Sequence, residues 1–111
     1  MNMISWDDFT KVELRIGTIV EATEFPEARR PAYKIKVDLG NELEIKRSSA
    51  QITQAYSPDE IVGKQVLCVT NFPPKQIGPY ISEVLVTGFV CDKEVVLCSP
   101  DKAIPNGTRL L

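Results

Sequence analysis

Apolar and polar residues alternate without a break over residues 33–39: Tyr33, Ile35, Val37 and Leu39 fall on one side, Lys34, Lys36 and Asp38 on the other. Successive side chains of an extended chain point to opposite faces, so this period predicts a half-buried strand. Residues 12–21 repeat the period, with Val12, Leu14 and Ile16 on one face, and Gly17 marks a bulge or sharp bend. Residues 43–47 alternate again, reached through a hairpin turn at Gly40-Asn41, and this register turns Lys46 outward. Residues 65–70 carry little polarity, residues 83–90 form another apolar run interrupted by Gly88, and residues 95–98 add a short β-rich run after a turn at Asp92-Lys93.

Helical signals are short. Ser5 can cap a turn begun by Trp6, with Asp8 three residues on to complete a capping box. Ser57 with Pro58, Glu60 and Gly63 supplies cap, first-turn proline, box partner and stop within one turn. Five or six strands with so little helix predict an all-β domain. Strands apolar on both faces favour closure into a small barrel, and a five-stranded Greek-key barrel of this kind is the OB-fold, beside other small barrels and sandwiches.

Composition narrows the function classes. At 111 residues the chain reads as a single domain. No apolar run approaches a membrane span, and the start MNMISWDDF lacks a basic, then apolar, leader, so a cytoplasmic protein without membrane insertion is expected. Histidine is absent, which removes Ser-His-Asp and Cys-His mechanisms. Cys68, Cys91 and Cys98 form no C-x-x-C pair, so no metal site is expected; Cys68 and Cys98 read as buried hydrophobes, Cys91 as more exposed beside its turn. No phosphate-binding loop, other cofactor motif or activated nucleophile appears, so neither cofactor nor enzyme activity is expected. The net charge of −2 gives no overall attraction to nucleic acid, which leaves only a local basic face for such binding.

Between two apolar runs lies NFPPKQIGPYISEVLV, residues 71–86, with three prolines, a lysine and a glutamine. Prolines stiffen a backbone and remove donors, so this reads as a long, preordered loop. It either displays a surface to a partner or merely crosses one barrel end with Phe72 and Ile77 in the core. At the N-terminus, Met3, Ile4, Trp6 and Phe9 are more apolar surface than one short helix hides. They pack on the domain or on another copy of it.

Several segments in order carry a resemblance: Asp8-Phe9 with Leu14-Arg15-Ile16-Gly17-Thr18-Ile19-Val20-Glu21-Ala22, Phe25-Pro26-Glu27-Ala28, Lys34-Ile35-Lys36-Val37-Asp38-Leu39-Gly40, Arg47-Ser48-Ser49-Ala50-Gln51-Ile52, Ser57-Pro58-Asp59-Glu60-Ile61-Val62-Gly63-Lys64, Asn71-Phe72-Pro73-Pro74-Lys75, Ser82-Glu83 and Pro105-Asn106-Gly107. Together they resemble the tRNA-binding domain found beside or within aminoacyl-tRNA synthetases. FPEARRPAYK, KRSSAQIT and the 71–86 stretch resemble its bacterial secretion-chaperone branch, CsaA. The chain departs from the general tRNA-binding pattern at Ser49-Ala50, Phe72-Pro73-Pro74 and Val84-Leu85, where that pattern has serine-glycine, leucine-lysine-proline and glycine-methionine.

The resemblance implies an OB-fold, no catalysis, and terminal extensions, here residues 1–11 (helical) and 99–111, that build a homodimer. Met3, Ile4, Trp6, Phe9 and Leu110 are then the expected dimer contacts. Two functions stay open. An export-related chaperone would bind unfolded or precursor polypeptides without ATP and work with the export machinery; its expected contacts are Phe72, Pro74, Lys75, Gln76, Ile77 and Tyr80. An RNA-binding module for tRNA or structured RNA would use Lys34, Lys36, Lys46, Arg47, Ser48, Ser49 and Lys75. Glu83 reads as a structural acceptor for Ser82, Arg47 or a loop amide.

Overall fold

The computed structural model describes residues 1–111, in the order α1 (Trp6–Thr10), β1 (Leu14–Glu24), β2 (Tyr33–Asp38), α2 (Gly40–Leu43), β3 (Ile45–Ala50), α3 (Pro58–Ile61), β4 (Gln65–Val69), β5 (Lys75–Ile77), β6 (Tyr80–Ser82), β7 (Leu85–Val86), β8 (Gly88–Cys91) and β9 (Glu94–Leu97). β1 is long enough to serve two neighbours. Leu14 to Thr18 pair antiparallel with β4, and Thr18 to Glu24 with β2. The main sheet has the order β3-β2-β1-β4-β7. It nearly closes where the Glu83 and Val84 amides donate to the Arg47 carbonyl at 2.8 and 3.3 Å. The result is an all-β, OB-type barrel.

Gly17 sits beside Thr18, where β1 passes from one neighbour to the other. A Cβ there would lie 2.4 Å from Val37 Cγ1 and 2.9 Å from the Asp38 carbonyl oxygen, so β1 and the end of β2 approach more closely than any side chain permits. The bulge itself falls three residues later than Gly17 suggested, at Val20, where the β1–β2 register shifts between Ile19 and Glu21. Ile19, Ile35, Val37, Leu39, Ile61, Val66 and Cys68 fill the interior, all essentially without exposure. Burial pushes the Cys68 thiol up to about 12. Cys91 is exposed and Cys98 half-buried.

Two local expectations change. Gly40-Asn41 opens the short helix α2, not a tight turn, and β3 begins at Ile45. The face of β3 is therefore inverted. Lys46, Ser48 and Ala50 stand opposite Val37, Ile35 and Tyr33 on the inner face, while Arg47 and Ser49 stand opposite Lys36 and Lys34 on the outer one. Lys46 is half-buried and Ile45 is 55% exposed. Residues 83–90 also do not run as one strand; they divide into β7 and β8 around Thr87.

The capping boxes form as their sequences require. Ser5 Oγ accepts from the Asp8 amide while the Asp8 carboxylate accepts from the Ser5 amide, both at 3.0 Å. At α3 the Glu60 carboxylate accepts from the Ser57 amide and hydroxyl at 2.8 and 3.0 Å. The C-terminal segment is pinned along the free edge of β1. Ile16 and Leu14 exchange backbone hydrogen bonds with Gly107, Thr108 and Leu110, and Asn106 accepts from Thr18 and Gln65.

A candidate binding groove at the open end of the barrel sheet

Residues 71–86 are not an irregular loop. They fold as the hairpin β5–β6, with Ile77 opposite Tyr80 across Gly78-Pro79. Glycine first with φ +54° and proline second is the chemistry of a tight two-residue hairpin turn. Each strand is only three residues long, too short for alternation to show in the sequence.

Tyr80 docks this hairpin on the outer face of β2 and β3. Its hydroxyl donates to the Ile35 carbonyl at 3.0 Å, and its ring meets Phe25 edge-on at 5.5 Å. Lys34 Nζ lies 5.9 Å from the Tyr80 centroid and 5.7 Å from that of Phe25; Arg47 Cζ lies 5.9 Å from Tyr80. Burial raises the Tyr80 pKa, helped by the Glu21 and Glu83 charges and opposed by the Arg47 charge and a Ser48 amide.

Glu83 locks the junction. Its carboxylate accepts from the Arg47 amide and Nε, both at 3.1 Å, and lies 3.9 Å from Lys46 Nζ. Burial pushes its pKa up, but the Arg47 hydrogen bonds and the Arg47 and Lys46 charges together outweigh that and hold it below its ordinary value. Ser82 Oγ accepts from the Ser49 amide at 3.3 Å.

Beside the hairpin lies a groove of about 440 Å³. Phe72, Pro73, Ile77, Val84 and Leu85 give it an apolar lining, and Ser49, Gln51, Lys75, Ser82 and Glu83 a polar one. Phe72 is 55% and Leu85 46% exposed, so large apolar side chains face solvent here. Past Ser49, Gln51, Lys75 and Ile77 the groove opens into a second recess of about 370 Å³, walled by Glu27, Arg29 and Arg30.

Of the expected polypeptide contacts, Phe72, Lys75 and Ile77 line this groove. Gln76 and Ile77 line the second recess; Gln76 donates back to the Gly78 carbonyl at 2.6 Å. Pro74 is exposed beside the groove, and Tyr80 is half-buried beneath the hairpin. Gln51, Val84 and Leu85 also line the groove and lie outside the expected contacts; an apolar triple Val84-Leu85-Val86 does not reveal which member faces out.

The expected RNA contacts divide. Lys36 pairs with Glu21 at 3.2 Å, Lys34 lies over aromatic rings, and Arg47 and Lys46 converge on Glu83. Lys46 is turned to the inner face, away from Lys34 and Lys36. Ser48 is fully buried and its hydroxyl meets no partner, so it is unavailable to a phosphate. Ser49 and Lys75 remain at the groove, and Lys75 makes no ion pair.

A second exposed apolar area joins the termini. Trp6 and Phe9 meet at 5.7 Å, tilted by 45°, beside Val12, Leu110 and Leu111 around a recess of about 140 Å³, and Arg109 donates to the Thr10 carbonyl at 2.8 Å. Met3 and Ile4 are exposed.

Residues 14–109 match the model of the family described as "Putative tRNA binding domain". The chain belongs to that family. Among relatives of this tRNA-binding family, the methionine–tRNA ligase of Thermococcus kodakarensis is 34% identical over 110 residues, 99% of the chain. The chain spans only 14% of that ligase's length. Solved structures match end to end: the chaperone CsaA of Bacillus anthracis str. Ames is 47% identical with a TM-score of 0.93, covering 99% of this chain and 100% of its own. The CsaA chaperone protein of Picrophilus torridus is 46% identical with a TM-score of 0.92, at 98% and 100% coverage.

Proposed function

We propose that the protein is a holding chaperone of the CsaA kind, which binds unfolded or precursor polypeptides without ATP and without catalysis. It does so as a cytoplasmic homodimer that works beside the export machinery. The observation that carries this reading is the groove itself: Phe72 and Leu85 stand exposed in a lining they share with Ile77 and with the polar groups of Ser49, Gln51 and Lys75. Apolar anchors with an adjacent hydrogen-bonding rim suit extended chains of varied sequence, and the hairpin holds the anchors in place before a client arrives. The end-to-end likeness to two chaperones at 46–47% identity supports it; the ligase likeness extends over 14% of the relative.

The test is client aggregation. A denatured client diluted into equimolar protein should scatter light more slowly than client alone. Phe72→Ala is a surface change, since Phe72 lies outside the core, and it should weaken client affinity about tenfold. Unchanged scattering with the intact protein sinks the proposal.

The family itself favours a second reading, RNA binding, with Arg47, Lys34 and Lys75 as the basic contacts. If about four cations meet phosphates, log affinity should fall with log salt at a slope of about −3. A salt-independent affinity, or an Arg47→Ala, Lys75→Ala double variant that binds as before, removes this reading.

A further inference from the structure

The barrel sheet's outer strand runs out of partners inside the groove. Along β3 the backbone groups of alternate residues point away from β2. At Arg47 they are taken, its carbonyl by Glu83 and Val84 and its amide by the Glu83 carboxylate. At Ser49 the amide is taken by Ser82 Oγ. Beyond that point pairing stops. By the same alternation the Ser49 carbonyl points outward, and neither it nor the Gln51 amide and carbonyl meets a partner. Ser49 and Gln51 line both the apolar groove and the basic recess.

We infer that a client docks here as an added strand, its backbone pairing with Ser49 and Gln51, with apolar side chains toward Phe72 and Leu85 and an acidic one toward the basic recess. This rests on the polypeptide-holding reading and specifies how that site recognises its client. Charge selects the acidic partner. Arg29, Arg30 and Lys75 make no ion pair and outnumber Glu27, the one unpaired carboxylate of that recess, whereas Glu83 is already paired with Arg47 and Lys46. Two unpaired carbonyls, of Ser49 and Gln51, beside one unpaired amide, of Gln51, suit a peptide, which offers both donors and acceptors; a phosphate offers acceptors only. In antiparallel pairing, one set of alternate client amides meets the Ser49 and Gln51 carbonyls, and the other set faces solvent.

The experiment measures binding of the full chain to a fluorescent heptapeptide of alternating Val and Glu, in three comparisons. N-methylation of the odd-numbered amides and of the even-numbered amides should differ: one series loses about tenfold or more in affinity and the other little. Exchange of Glu for Lys should lower affinity, and Lys75→Glu in the protein should weaken that preference. A uridine dodecamer is the competitor. Equal effects of the two N-methyl series overturn the strand pairing, and if denatured client is still held, the chaperone reading survives alone. A peptide indifferent to charge reversal overturns the acidic selection. Displacement of the peptide by the dodecamer at lower concentration than by unlabelled peptide assigns the groove to RNA. Failure to bind any peptide together with failure to hold client removes both readings.

Discussion

The Ser48 hydroxyl lies at 0% exposure with no hydrogen-bond partner. A buried polar group left unpaired costs about 1–3 kcal/mol. Ser48→Ala removes the group and leaves a space of only one oxygen. The variant should therefore unfold at the same temperature or a few degrees higher; a fall of more than about 5 °C would show that the hydroxyl has a partner. At Glu83 the sign is set by its depressed pKa. Its ordinary value is 4.5, and the folded state binds its proton less readily than the unfolded chain does. Its contribution is thus full above the ordinary value and is lost as pH falls through the folded one. Asp8 and Glu60, lowered chiefly by the Ser5 and Ser57 backbone amides, have the same sign. Urea unfolding of Glu83→Gln should show lower stability than the parent at about pH 7 and a smaller loss between about pH 5 and 3. Parallel slopes would remove Glu83 from the acid response.

At the level of elements, β1 and the end of β2 pack too closely at Gly17 to admit a side chain. Gly17→Ala would push a methyl against Val37, Leu39 and the Asp38 carbonyl, of which the last is backbone and least able to yield. Overpacking of this kind costs about 1–3 kcal/mol, so the urea midpoint should fall with an unchanged slope. An unaltered midpoint would mean that the strands separate freely there. The β5–β6 hairpin is held differently, by Tyr80 to Ile35, Ser82 to Ser49 and Glu83 to Arg47, each reaching back to β2 or β3. It is fixed to the barrel chiefly by side chains, which is why its prolines remove few needed donors.

For the whole molecule, the exposed termini predict association. Trp6, Phe9, Val12, Leu110 and Leu111 gather at one recess, with Met3 and Ile4 exposed in the same N-terminal segment. We expect the intact chain to sediment as a dimer at micromolar concentration, and a chain lacking residues 1–10 to sediment as a monomer or to aggregate. A well-behaved monomer from the intact chain would refute this. The molecule's net charge of −2 leaves any attraction for an acidic partner to local groups such as Arg29, Arg30 and Lys75.

Alternation by itself determined β2, the capping sequences determined α1 and α3, and the apolar runs determined most of the core. These are local properties: which face is buried follows from neighbours within a few residues. The ordered motifs also carried the family and with it the OB-type barrel. Tertiary structure decided what depends on contacts between distant segments. β3 turned over because α2 shifted its register, and a single-residue shift exchanges every inward and outward side chain, burying Ser48 and moving Lys46 off the outer face. Lys36, Lys34 and Arg47 look alike as free cations in the sequence. Only the fold brings Glu21, Phe25, Tyr80 and Glu83 against them, because each of those partners arrives from another strand or loop. The unpaired backbone at Ser49 and Gln51 is likewise invisible in the chain, since a strand edge is free or paired only once its neighbours are placed.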